Sequence, residues 1–136
     1  KLLSQEVSLE IMNARMREIP KIQNKSNNQD LLVYRFILTL HSSYRTHRSV
    51  AYYARLANLS TNHFSKIVKK VTGQSPSTWI STITITYTKF MLEDNDLNIK
   101  QIAAELNFPE QFTFRKYFKQ HAGLSPKAYR EQIIHK

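Results

Sequence analysis

The 136-residue chain contains no cysteine, which excludes a disulfide framework, a thiolate metal site and a cysteine nucleophile. A reducing, cytoplasmic setting fits that absence. No run of about 18 apolar residues occurs, so no segment reads as a membrane-spanning helix. Residues 1–20 have neither the apolar stretch nor the small-residue cleavage site of a secretory signal. Acidic residues are scarce: ten Asp and Glu stand against twenty Lys and Arg, leaving a formal net charge of +10. Such an excess attracts a polyanion, and nucleic acid is the first partner to consider. An anionic membrane surface ranks second, because the basic residues are spread over several elements rather than gathered on one amphipathic stripe. The five histidines show no metal-ligand spacing, so no metal or other cofactor is expected. The chain opens on Lys1 rather than Met, and a piece of a longer protein is the expectation.

Glycine is nearly absent too, and both glycines, Gly73 and Gly123, fall in one repeated pattern. Phe-x-Lys-x-x-Lys-x-x-x-Gly-x-Ser-Pro runs from Phe64 to Pro76 and again from Phe114 to Pro126. Upstream, after a one-residue shift, Ala54 and Asn58 correspond to Ala103 and Asn107. A duplicated unit implies a duplicated task. Each copy reads as a short helix, a tight turn and a second helix carrying lysines, which is a helix-turn-helix. Gly-x-Ser-Pro is not a hydrolase elbow, which needs Gly on both sides of the Ser and a strand before it. No enzymatic activity is expected.

Apolar residues at Leu3, Val7, Ile11 and Ala14, widened by Leu2, Leu9, Met12 and Met16, predict an amphipathic helix before Pro20. The polar stretch 21–29 has no period and reads as a linker, with the domain boundary at residues 28/29. Residues 1–28 carry five basic and three acidic side chains and residues 29–136 carry fifteen and seven, so +8 of the +10 lies in the C-terminal part. A helix is expected from Asp30, as N-cap or first-turn acid, through Leu32, Phe36, Ile37 and Leu40, breaking near residues 44–47. The first motif helix starts near Ser49 and buries Val50, Tyr53, Ala54 and Ala57; Tyr52 and Tyr53 read as packing rather than stacking residues. Asn58 suits a left-handed turn, Ser60 suits an N-cap, and Phe64, Ile67, Val68 and Val71 form the inward stripe of the next helix. Gly73 should stop that helix and Ser75-Pro76 start another.

Residues 75–92 are ambiguous in isolation, since Ile83, Ile85 and Tyr87 alternate with threonines as in a strand. Trp79, Ile83, Tyr87 and Met91, stepping by four, favour a helix about 27 Å long. The second motif places Ile99, Ile102, Ala103 and Leu106 inward, Asn107 and Phe108 at the turn, Pro109 at a helix start, and Phe114, Tyr117, Phe118 and part of His121 against the core. A closing helix would use Ala128, Tyr129 and Ile133. The predicted fold is all-α, with no strand.

The string from Ile99 to Lys119, followed by Gly123-Leu-Ser-Pro and Tyr129-Arg130, resembles the DNA-binding region of the AraC/XylS family of bacterial transcription regulators. The resemblance spans about residues 30–130 and implies two helix-turn-helix subdomains joined by a long linker helix, here with an N-terminal amphipathic helix in front (1–28), a remnant of a sensor or dimerization region, and the DNA-binding domain at 29–136. Asn58 and Asn107 stand where the family usually has Gly, and Thr88 where a small Ala is common. The family inserts the second helix of each unit, here about residues 61–71 and 110–121, into successive major grooves. Carried over by position, Asn62, His63, Ser65 and Lys66 would face bases from the first reader, and Gln111, Phe112, Arg115 and Lys116 from the second. Asn or Gln can pair with adenine, Arg or Lys with guanine, and an apolar ring with a thymine methyl. Phosphate contacts fall to Lys69, Lys70 and Lys119 and to the helix starts at Ser75 and Ser125.

A lone surface lysine is ordinarily just solvated; recurrence of Lys66 and Lys69 as Lys116 and Lys119 is what favours a shared anionic target. Phe112 reads equally as a base contact or a satellite of the core. The function expected is sequence-specific binding of double-stranded DNA by a transcription regulator, read as an activator, in the bacterial cytoplasm at the nucleoid. The resemblance implies RNA polymerase as a further partner and leaves open a homodimer through the N-terminal region or an upstream domain. The competing reading is a basic helical module that docks acidic proteins without reading DNA sequence.

Overall fold

A computed structural model describes residues 27–134 of the chain. The expected N-terminal amphipathic helix and most of the linker lie outside the described residues. Within them are seven helices and no strand: α1 (Asn27–Ser43), α2 (Val50–Leu56), α3 (Thr61–Thr72), α4 (Pro76–Leu92), α5 (Ile99–Glu105), α6 (Gln111–Ala122) and α7 (Pro126–Ile134). The all-α expectation stands. Two compact units divide the described residues: one comprises residues 27–42 together with Ser49–Ile80, the other Ser43–Arg48 together with residues 81–134.

In the first unit α1 presents Val33, Phe36, Ile37 and Leu40 as one buried stripe, the 3–4 spacing of an amphipathic helix. Phe36 meets the rings of Tyr53 and Phe64 edge-on, with centroids 5.3 and 5.2 Å away. Such pairs are each worth about 0.5–1.5 kcal/mol beyond the area they bury. Helix α1 begins at Asn27 rather than at Asp30, so Asp30 sits inside the first turn. There its carboxyl is buried and its pKa is raised by desolvation.

The turn between α2 and α3 is closed as a Schellman-type ending: Leu59 N–H donates to the Ala54 carbonyl and Asn58 N–H to that of Arg55. Asn58 takes the left-handed conformation this needs, at φ 57°, a region Asn enters at less cost than most residues with a Cβ. The same two bonds recur after α5, from Phe108 N–H to Ala103 and from Asn107 N–H to Ala104, with Asn107 at φ 58°.

Helix α4 contributes residues to both units. Its threonines resolve the strand-like reading of the sequence. Thr84 and Thr88 are buried, and the Thr88 hydroxyl donates to the Thr84 carbonyl at 2.7 Å, as Thr86 does to Thr82. Back-bonding of this kind satisfies a hydroxyl inside a helix, so tertiary burial overrides local β propensity. In the first unit Trp79 is buried and its indole Nε1 donates to the Thr72 hydroxyl at 2.9 Å.

The second unit is built on Ile102, Leu106, Phe114 and Phe118, all essentially buried, with Phe108 tilted against Phe114 and Tyr129 meeting Phe118 edge-on. The Arg130 side chain donates to the carbonyls of Leu92 and Asp94, capping the end of α4 with a cation where the helix dipole favours one. Segment Ser43–Arg48 also belongs here. The Asn107 amide donates to the Arg45 carbonyl at 3.0 Å, the Arg45 guanidinium lies 3.1 Å from Glu105, and Arg48 sits 4.1 Å over the Phe108 ring.

The two turn asparagines therefore differ in what their side chains do. Asn58→Gly should leave stability within about 0.5 kcal/mol, whereas Asn107→Gly, which also loses a tertiary hydrogen bond, should cost about 1 kcal/mol more. Urea melts of both variants against the parent chain check this, and equal midpoints would remove the special role of Asn107.

Candidate nucleic-acid interface

The two lysine-bearing helices α3 and α6 are each 12 residues long and their sequences align with an offset of 50. Helix α3 opens on Ser60, whose hydroxyl accepts from His63 N–H at 3.1 Å. Helix α6 opens on Glu110, which makes no side-chain capping bond. Pro109 thus precedes the cap instead of occupying the first helical turn, a shift of one or two residues that proline's fixed φ allows. Both helices end on a left-handed glycine whose N–H returns to a lysine carbonyl, Gly73 to Lys69 and Gly123 to Lys119.

The roll of each helix is set by its fourth residue. Phe64 and Phe114 are each 1% exposed, followed inward by Ile67 and Val68 in α3 and by Phe118 in α6. At about 100° per residue, this leaves Asn62, His63, Lys66, Lys69 and Lys70 exposed on α3, with Ser65 half-buried at the flank. On α6 Phe112, Arg115, Lys116 and Lys119 are exposed, as are Gln120 and His121, with Gln111 half-buried. Each unit thus gathers its expected base-facing and lysine positions on one helix. Phe112 is 57% exposed, which settles that it is no part of the core, and the Lys116 ammonium lies 5.5 Å over its ring. An apolar ring held at a helix surface beneath a cation is suited to contact a base edge or a methyl.

Ser75 and Ser125 are half-buried and already engaged. Their hydroxyls accept from Thr78 N–H and Ala128 N–H, capping α4 and α7. The first backbone amides of these helices are groups that could meet an anion there.

Electrostatics reinforce the pattern. Neither α3 nor α6 has an acid in its first turn, and each has basic residues in its last: Lys69 and Lys70, and Lys119 and His121. Part of that placement simply stabilises the helix C-terminus. Behind α6, burial raises the Tyr117 pKa, partly offset by hydrogen bonding with Thr84 and the nearby Arg48 charge. The Arg45 pKa is raised, first by its hydrogen bond to Tyr44, with Glu105 adding attraction. His121, expected to be partly hidden, is exposed, its ring 4.6 Å from that of Tyr117. In the sequence, residues 44–47 read only as a break; that Arg45 and Arg48 brace the α5–α6 turn carries no local signal, because their partners Glu105, Asn107 and Phe108 lie far along the chain. Among the described residues no cluster of His, Asp and Glu could hold a metal, and no helix is long and apolar enough to cross a membrane.

A family model described as "Helix-turn-helix domain" matches residues 53–132, covering both turns and both lysine-bearing helices. The chain belongs to the AraC/XylS family of transcription regulators. It is similar to the Msm operon regulatory protein of Streptococcus mutans, 27% identical over 125 residues, covering 90% of this chain and 45% of that protein. It is also similar to the regulatory protein PocR of Salmonella typhimurium, 35% identical over 75 residues, or 55% of this chain and 25% of that protein. The chain thus spans less than half the length of these two relatives. Among solved structures, the C-terminal domain of AraT, a response regulator from Geobacillus stearothermophilus, shares the fold with a TM-score of 0.66 at 23% identity, covering 74% of this chain and 84% of that one. The DNA-binding domain of the transcriptional factor AdpA, solved in complex with a target DNA, matches with a TM-score of 0.63 at 23% identity over 74% of this chain and 90% of that one.

The neighbouring phenylalanines of α6 provide a test of the assigned faces. Phe114→Ala should destabilise by about 3–5 kcal/mol, as for a buried aromatic, while Phe112→Ala should change stability by less than about 0.5 kcal/mol, as for a surface position. Thermal or urea unfolding of both variants reads the difference, and comparable losses would mean that α6 is rolled differently.

Proposed function

We propose that this AraC/XylS-family chain binds double-stranded DNA in a sequence-selective manner and regulates transcription, with α3 and α6 each entering a major groove. One observation carries this reading. The same helix is built twice, with the same buried phenylalanine, the same glycine stop and exposed lysines at matching positions. Electrostatic attraction alone would not require that the exposed faces be held so similarly. The names of the relatives as operon regulators and the DNA-bound structure of AdpA support the reading.

In this scheme Asn62, His63, Ser65 and Lys66, and Gln111, Phe112, Arg115 and Lys116, are the base-facing residues. Lys69, Lys70 and Lys119, with the amides following Ser75 and Ser125, meet phosphates and fix register. The phosphate contacts supply most of the affinity and its salt dependence. Control of a promoter implies RNA polymerase as a further partner, with activation as the direction, and a cytoplasmic setting at the nucleoid. A homodimer would be formed through residues 1–28 or an upstream domain.

Competition between a selected duplex and random duplex at physiological salt tests the proposal; equal affinity for both would end the claim of sequence reading. Lys69→Ala should weaken binding to all sequences alike and flatten the salt slope by about one unit, whereas Arg115→Ala should cost about 1–3 kcal/mol and relax preference at one position. Fluorescence anisotropy over a salt series separates the two, and identical behaviour would refute the division of roles. No duplex binding even at low salt would favour the alternative of a module for acidic protein partners.

A further inference from the structure

An apolar groove of about 560 Å³ lies in the first unit, between α1 and the α2–α3 turn, lined among others by Leu31, Leu32, Arg35, Phe36, Leu56 and Phe64. Leu31 is 43% and Leu56 56% exposed, and Leu38 of the same unit is 37% exposed. A single exposed leucine is ordinary. Two at the lip of one groove leave apolar surface that an apolar partner would cover. None of the proposed DNA-facing residues lines it.

We infer that the groove is the docking site of this chain's own N-terminal segment, residues 2–16. Three observations select that occupant. Its sequence carries an apolar stripe of helical spacing, Leu3, Val7, Ile11 and Ala14, the pattern by which an amphipathic segment fills an apolar groove. Glu6 and Glu10 border one edge of the stripe and Arg15 the other, while Arg35 within the groove and Arg55 beside Leu56 are exposed basic side chains, so the charges are complementary along the glutamate edge. The tether has the right length. Eleven residues, 17–27, separate the segment from a groove whose lining starts at Asn28, and that many span up to about 36–40 Å when extended. So short a connection holds the segment at an effective concentration in the millimolar range. A second copy would have to offer the same surface at bulk concentration.

Because the chain has no native cysteine, one spin label tests this cleanly. In the 136-residue chain carrying Leu38→Cys, labelled beside the groove but not in it, the amide signals of residues 3–14 should be lost to paramagnetic broadening and return when the label is reduced. Adding Leu56→Glu, an exposed change that leaves the helix content intact, should restore the signals with the label still active. Unaffected signals in the labelled chain would overturn the inference. Persistence of the broadening in the Leu56→Glu variant would also overturn it, by placing the segment elsewhere. Broadening seen only when spin-labelled and isotope-labelled copies are mixed would assign the groove to a second molecule instead.

Discussion

The burial of one phenylalanine in the first turn of each lysine-bearing helix is the constraint on which the rest of the molecule depends. Phe64 and Phe114 are sealed from solvent, and a helix with one position locked inward has no remaining freedom of roll. Every other side chain on α3 and α6 then has its direction assigned by the 100° step. The cationic and hydrogen-bonding residues are outward because the aromatic one is inward. A core of a few interlocking rings thereby sets the display of a chemical surface.

That display also needs each helix to enter at a defined angle, and the turn residues provide it. The left-handed asparagines at 58 and 107 close the preceding helix with the same pair of backbone bonds in both copies. The glycines at 73 and 123 end the lysine helices with the same αL geometry. Start, roll and stop are thus specified separately, by turn chemistry, apolar burial and glycine. The second copy adds a brace the first does not show among the described residues: Arg45, Arg48, Glu105 and Asn107 tie segment 43–48 to the α5–α6 turn. The brace accompanies a Glu110 N-cap with no side-chain bond of its own, where the first copy has the capping serine.

Much of this was legible in the sequence because it is local. The periodicity of Phe64, Ile67 and Val68, the stop at Gly73, the restart at Ser75-Pro76 and the left-handed Asn turns each depend on residues within one or two helical turns of one another. The helical state of residues 76–92 was legible only by setting a four-residue apolar step against a threonine-rich composition, and burial decided it. The start of α1 at Asn27 and of α6 at Gln111 missed expectation by one to three residues, since several capping arrangements are nearly equal in energy. The brace on Asn107 was not legible at all. A bond across sixty-two residues leaves no periodic trace, and Asn at the turn does not reveal it, since Asn58 stands at the equivalent place in the first copy. Of the candidate interface, the exposure of the lysines followed directly from the stripe opposite them. The state of Phe112 did not, because an aromatic at a helix's second position can turn either way.

The central claim is that two similarly built helices each read a stretch of duplex DNA. Selection of bound molecules from a random duplex library tests it most directly. Two blocks of preferred bases separated by about one helical repeat, 10–10.5 base pairs, are the predicted result, with substitutions in α3 erasing one block and substitutions in α6 the other. A single preferred block unaffected by changes in either helix, or no enrichment over the starting library, would contradict it.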